Sequence, residues 1–131
     1  MDGKVSLEAT VSPSEDPDKV LTAVRLVLGD VPHTVRATKD SVLVESSSAG
    51  CLERLHDQLR DRRVRGAARR RFLSGMSGNR TTVMVNRQAA TAGVIALCDS
   101  EDESPLGPIY LTVESKGLDE LIRWLTDYPG G

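Results

Sequence analysis

The sequence predicts an α+β fold in two layers, with helices packed on one face of a mixed or mostly antiparallel sheet. Three observations predict it. Strand signals with alternating apolar residues recur along the chain. Helical stripes separate them irregularly, in the order β-α-β-β-α-α-β-β-β-α, which is not the strict alternation of a doubly wound sheet. The 131 residues make one domain's length, with no repeat and no dividing linker, so 1–131 is read as a single α+β domain.

The first strand runs from Lys4 to Ser12, where Val5, Leu7, Ala9 and Val11 alternate with Ser6, Glu8 and Thr10. Asp16 is a natural helix N-cap and Pro17 a natural first helical residue. Val20, Leu21, Val24, Val27 and Leu28 then follow helical spacing, and Gly29 stops the helix. Val31 to Ala37 and Ser41 to Glu45 read as two strands, joined as a hairpin by Thr38-Lys39-Asp40.

Ser48 is a candidate cap for a helix carrying Leu52, Leu55 and Leu59 on one face. A second stripe of Val64, Ala67, Ala68 and Phe72 is out of phase with the first, and Gly66 lies at the slip. The spacing therefore predicts two helical pieces, roughly 50–62 and 64–75, with a kink or short turn between them. Arg71 projects into the second stripe, which implies an ion pair, a snorkelling side chain or a different helix phase. Gly75 to Asn79 reads as a loop, Thr81 to Val85 as a strand and Asn86 to Thr91 as a turn or one helical turn. Gly93 to Cys98 is a continuous apolar run, read as a central strand buried on both faces. Ile109 to Glu114 alternates again, and the last helix starts near Gly117 with Leu118, Leu121, Ile122 and Leu125 inward.

Composition narrows the function classes. No segment approaches 18 consecutive apolar residues, and the N-terminus lacks the basic and apolar regions of a signal peptide. Cys51 and Cys98 are too few and too far apart for a disulfide framework. A reducing, cytoplasmic setting is expected, with both thiols in or near the core. His33 and His56 are the only histidines, and neither lies at metal-ligand spacing with Cys, Asp or Glu. Nucleophile elbow, phosphate loop and dinucleotide fingerprint are all missing. The expectation is a protein that is not an enzyme and carries no cofactor or metal. The acidic run Asp99, Glu101, Asp102 and Glu103 reads either as a solvated hairpin tip or as a cation holder.

The arginines are the informative feature. Between Arg54 and Arg87 lie ten Arg, no Lys and only Asp57 and Asp61, a net +8 within a chain of net −2. A basic middle in an acidic frame points to a polyanionic partner. On a helical wheel Arg62, Arg65 and Arg69 fall within a sector of about 60°, with Arg63 and Arg70 on a second ridge and Arg60 and Arg54 extending the patch toward the first helical piece. Guanidinium groups clamp phosphate oxygens bidentately, and such a row can track a nucleic-acid backbone. The competing reading is a solvated face, but such a face normally mixes signs, and no acid occurs from Arg62 to Arg87. Only four aromatic residues exist, so binding is expected through phosphates, sugars and shape rather than base stacking.

Three separated stretches carry a resemblance that spans essentially the whole chain. They are Ser12-Pro13-Ser14-Glu15-Asp16-Pro17, Gly78-Asn79-Arg80-Thr81-Thr82 followed by Asn86-Arg87-Gln88-Ala89-Ala90, and Glu103-Ser104-Pro105-Leu106-Gly107-Pro108-Ile109. Together they resemble an archaeal family of conserved, functionally uncharacterised proteins described as RNA-binding. The resemblance implies a fold similar to that of the large-subunit ribosomal protein that binds 5S ribosomal RNA, and a homodimer. It supplies no catalytic residues.

The first reading is thus a module for structured RNA, with ribosomal RNA as one candidate. Its contacts are Arg60, Arg62, Arg63, Arg65, Arg69 and Arg70 on phosphates, with Arg80, Asn86, Arg87 and Gln88 as additions. A second reading is an interaction or assembly subunit whose basic helix docks an acidic protein. A third is an enzyme on a phosphorylated metabolite, with its site between the Asn86–Gln88 turn and the Ser104–Pro108 loop.

Overall fold

The structure is a computed structural model. It describes residues 3–126 except 48, 61 and 105, and does not describe the side chains of 49 and 62–64. Ser48, Asp61, Pro105 and the side chains of Arg62, Arg63 and Val64, all singled out by the sequence, therefore lie outside the described residues.

Alternation builds the sheet. β1 (Lys4–Thr10) buries Val5, Leu7 and Ala9 and turns Ser6 and Glu8 away. It pairs antiparallel with β3 (Ser41–Ser46) on one side and β7 (Ile109–Glu114) on the other. β2 (Thr34–Ala37) adds to β3, with the Thr38 hydroxyl accepting from the Asp40 and Ser41 amides to close the predicted hairpin. β5 (Arg80–Val85) pairs with β7, β4 (Met76–Ser77) and β6 (Leu97–Cys98). The order is β2-β3-β1-β7-β5-β4, with β6 also on β5, and every pairing is antiparallel. Register keeps one face apolar: Leu7 lies between Val44 and Leu111, and Val83 pairs with Leu111.

The helices cover that face. α1 (Pro17–Leu28) starts where predicted, with Asp16 accepting the Asp18 amide and Pro17 in the first turn. It buries Val20, Val24 and Val27 against β1 and β3. α2 (Ala49–Gln58) and α3 (Arg62–Ser74) flank α5 (Leu118–Thr126), which sends Leu118, Leu121, Ile122 and Leu125 inward. His56 of α2 stacks on Trp124 of α5 at 4.5 Å, so this histidine is a packing residue. α4 (Arg87–Thr91) is the short helix expected after Asn86, and it packs beside α1.

Two expectations need correction. α2 ends at Gln58 and α3 begins at Arg62, a few residues earlier than the expected break between 62 and 64, and Gly66 lies within α3 on an exposed position. Leu59 is completely buried just after α2, and Arg60 donates its amide three residues back to Asp57, a tightened last turn. Packing of Leu59, rather than the glycine, sets the end of α2. Second, Gly93–Cys98 is not a central strand. Only Leu97–Cys98 pairs, as an edge on β5, while Val94 is 53% exposed. The central strand is β7, whose alternation lets it bury one face only. The loop predicted at Gly75–Asn79 instead contains β4 and its hairpin to β5. Gly75 is required there, because a Cβ would come within 2.5 Å of the Thr82 carbonyl oxygen.

Both cysteines are buried free thiols, and burial raises the pKa of each. With few aromatics available, Phe72 is the largest fully buried side chain and ties α3 to the sheet; its carbonyl accepts the hydroxyl of buried Thr81 on β5. Replacing Phe72 by Ala is expected to cost about 3–5 kcal/mol. Urea unfolding followed by circular dichroism measures this, with the native spectrum retained at zero denaturant.

Candidate nucleic-acid interface

α3 presents the basic surface. Ala68 and Phe72 are buried and fix the helix's inward side. Arg65 and Arg69 lie half-buried along its margin, and Arg70 points outward with Gly66. Of the row expected from Arg62, Arg65 and Arg69, the two described members, Arg65 and Arg69, are half-buried rather than fully exposed. Arg69 donates through Nε to the Thr126 hydroxyl of α5 at 3.0 Å, which holds the guanidinium against the helix pair. Arg60 is exposed in the connection between α2 and α3. Arg60, Arg65, Arg69 and Arg70 are thus brought together on one connection and one helix. The side chains of Arg62 and Arg63 lie outside the described residues.

The remaining arginines of the basic stretch divide by their partners. Arg71, the residue that projected into the apolar stripe, is ion-paired with Asp99, so pairing accounts for its position. Arg80 is exposed on β5 and gives Nε and Nη2 to Glu114 Oε2 on β7, at 3.2 and 2.9 Å.

Arg87 is the correction to the expected contacts. Only 5% of it is exposed. Its Nη1 donates to both carboxylate oxygens of Glu15 at 2.8 Å, so this guanidinium does not face a phosphate backbone. Asn86 is likewise engaged: Oδ1 accepts the Ala89 amide as the α4 cap, and Nδ2 reaches the Glu103 carbonyl. Gln88 alone of this turn is exposed.

Glu15 was not singled out for this role by the sequence. Here it is the centre of the three motifs. Its carboxylate accepts the Ser12 amide and the Arg87 guanidinium. The Arg87 amide donates to the Ser104 hydroxyl, which in turn donates to the Gly107 carbonyl. The stretches at 12–17, 86–90 and 103–109 therefore meet at one end of the sheet, in a buried polar junction. Their joint occurrence in the sequence was the available signal, although nothing in it named the partners.

Burial by itself would push the Glu15 carboxyl up. The Ser12 amide, the Arg87 hydrogen bonds and the Arg87 charge outweigh that and hold it below the ordinary 4.5. The acidic loop is similarly tied down. Besides the Asp99 pair with Arg71, Glu103 accepts the Asp99 amide, and Glu101 accepts the Tyr110 hydroxyl, which raises the pKa of that phenol. Among the described residues no three of His, Cys, Asp and Glu are grouped to hold a metal ion, and no helix is long and apolar enough to cross a membrane.

Fold and site together define a class: a two-layer, antiparallel α+β protein with an arginine-rich helix on its outer layer. The sequence model of a family described as RNA binding matches residues 4–115. A UPF0201 protein of Sulfolobus acidocaldarius is 38% identical, covering 94% of this chain and 86% of the relative; one of Aeropyrum pernix is 41% identical, covering 93% and 83%. The chain belongs to this UPF0201 family and to the family whose sequence model is described as RNA binding. Among solved structures, an uncharacterised UPF0201 protein superposes with a TM-score of 0.77 at 26% identity, covering 94% of this chain and 92% of that one. The UPF0201 protein of Methanococcus jannaschii has a TM-score of 0.78 at 23% identity, covering 98% and 96%, and shares the fold.

The buried pair gives two expected outcomes. Changing Arg87 to Met strands the Glu15 carboxylate and should cost about 3–5 kcal/mol, whereas changing Glu15 to Leu as well should recover much of that loss. The second concerns acid. Because the folded pKa of Glu15 is depressed, its stabilisation is present above 4.5 and is lost as pH falls through the lower folded value. Urea midpoints measured from pH 7 to pH 3 should show this acid-dependent component in the parent and not in the double variant.

Proposed function

We propose that this protein binds structured RNA in the cytoplasm, mainly through phosphates, with the surface of α3 and the connection before it as the contact. The observation that carries the reading is the clustering of Arg60, Arg65, Arg69 and Arg70 on a stretch with no acid from Arg62 to Arg87. Arg62 and Arg63 belong to the same proposal by sequence position. Arg80 and Gln88 are exposed enough to add contacts, with Arg80 leaving Glu114 to do so; Asn86 shapes the turn that presents Gln88. Arg87 contributes by holding that turn through Glu15 rather than by touching RNA. The description carried by the family supports the same reading. No catalytic step is proposed.

The protein is further proposed to act as a homodimer. Leu73 is 49% exposed on α3, and a second copy would cover it. Light scattering on a size-exclusion column should give twice the chain mass at micromolar concentration. A monomer mass would remove this part of the proposal.

The binding test uses Arg60→Gln, Arg65→Gln and Arg70→Gln together. Arg69 is left in place because its Thr126 hydrogen bond joins α3 to α5. Gln keeps most of the helix propensity of Arg. Each lost phosphate contact removes roughly 0.7–0.9 from the slope of log K against log salt, so the slope should flatten by roughly two to three units for unrelated RNA sequences alike. Arg123→Gln on α5 is the control and should leave the slope unchanged. A triple variant that matches the parent in affinity and slope would sink the reading. Crosslinking and sequencing of the bound RNA identifies the ligand, ribosomal or otherwise.

A further inference from the structure

Two further arginines lie away from α3, in a groove between the end of α1 and α2. It has a volume of about 590 Å³, within the range of small-ligand pockets, and Arg25, Leu26, Gly29, Asp30, His33 and Arg54 line it. We propose that this groove binds a nucleotide phosphate, clamped between the guanidinium groups of Arg25 and Arg54.

The geometry of each cation is set by its neighbours. Arg25 donates through Nε to His33 Nε2 at 3.2 Å. That nitrogen accepts the Arg25 hydrogen bond, and the other ring nitrogen, Nδ1, lies 2.7 Å from the Val31 carbonyl oxygen. The hydrogen bond fixes the Arg25 guanidinium by its side and leaves both Nη groups for a ligand. Arg54 reaches the groove from α2 by lying across Gly29. A Cβ at position 29 would come within 2.6 Å of Arg54 Cγ and 2.8 Å of Nε, and Gly29 has a φ of 86°. Glycine is thus required here twice, once by the backbone and once to seat this arginine. The seat buries Arg54 Nε, which has no hydrogen-bond partner. A buried donor without a partner favours an acceptor that arrives from outside.

Pairing separates these two residues from three of the other arginines. Arg71, Arg80 and Arg87 each hold a carboxylate. Arg25 and Arg54 hold none among the described residues, although Asp30 lines the same groove. Two unpaired guanidinium groups from different helices, converging on one concavity, match the bidentate demands of phosphate. Leu26 is 38% exposed and supplies an apolar wall for a base or sugar face, and Asp30 can accept a ribose hydroxyl. The phosphate can be carried by RNA or by a free nucleotide; in its RNA form the inference rests on the function proposed above.

The test uses the full chain, with Arg25→Gln and Arg54→Gln combined as one variant and the α3 triple variant alongside. Arginine side-chain resonances are followed by NMR during titration with adenosine 5′-monophosphate and with inorganic phosphate. Binding of a fluorescent stem-loop RNA is measured across salt. If RNA supplies the phosphate, the double variant should weaken RNA roughly tenfold and flatten the salt slope by roughly 1.4–1.8, adding to the effect of the α3 triple. If a free nucleotide supplies it, the mononucleotide should shift the Arg25 and Arg54 signals of the parent, and the double variant should lose that binding while RNA affinity stays unchanged. Failure of the function proposed above looks different: no RNA binds the parent, yet the mononucleotide still shifts these signals. The inference is overturned if the parent's Arg25 and Arg54 signals are unmoved by mononucleotide and phosphate and the double variant binds RNA with the parent's affinity and slope. Should the double variant fail to fold, the titration of the parent and its RNA-induced shifts decide the matter alone.

Discussion

The sheet of this protein has one apolar face, and the rest of the structure follows from that. In β1, β3, β5 and β7 one alternate set of side chains is buried, and the other set carries Ser6, Glu8, Glu45, Thr82, Thr112 and Glu114. A one-residue slip in any of these strands would move Leu7, Val44 or Leu111 into water, so the register is strongly fixed. Only one layer of helices is then needed. Each helix buries a stripe and leaves its opposite side free to carry charge. An arginine-dense segment is tolerated in α3 for that reason: Ala68 and Phe72 anchor it, and Arg70 costs the core nothing.

How the arginines are partnered matters more than how many there are. Three of those on the sheet, its loops and the adjoining helices are paired locally with carboxylates. Arg80 bridges β5 to β7, Arg71 reaches the loop after β6, and Arg87 is buried against Glu15. The exposed pair on β5 and β7 contributes little, whereas the Glu15–Arg87 pair would be costly to break because either partner left alone is a buried charge. That pair fastens the turn before α1 to the start of α4 and, through Ser104, to the entry of β7. It explains why three stretches far apart in the chain form one structural unit.

Much of this was legible in the sequence, and the failures have physical causes. Alternation placed β1, β3, β5 and β7, and the Asp16-Pro17 signal placed α1 to the residue. These are local signals, set by burial period and capping. The break between α2 and α3 was placed a few residues late, because the phase slip of the two stripes is a local cue, while α2 ends where Leu59 reaches the core. The run Gly93–Cys98 looked central because apolarity alone does not show which face is covered; Val94 in fact faces solvent. Arg71 was recognised as anomalous, but its partner Asp99 is 28 positions away and no pattern links them. Arg87 was misread for the same reason, since burial of a charged side chain depends on a partner that only the fold brings within reach. For the arginine-rich segment, the helical wheel treats the helix as isolated. Which arginines stand clear of the helix pair required knowing that α5 lies alongside and that Thr126 takes Arg69.

The acidic frame has its own consequence for how a polyanion approaches. The chain is net negative, so at distances beyond a Debye length, about 8–10 Å in ordinary salt, RNA meets no general attraction. Attraction arises only close to the surface, where like-signed groups are not interleaved with acids. α5 begins with Asp119 and Glu120, and α1 carries Asp18 in its first turn. Those helix starts repel phosphate locally, while α3, with no acid in its first turn, does not. Under the function proposed above, a nucleic acid would settle on the α3 side and be turned away from the acidic helix starts. Orientation comes from the contrast between neighbouring surfaces rather than from the total charge, and that is how a chain of net −2 is compatible with selective contact to a polyanion.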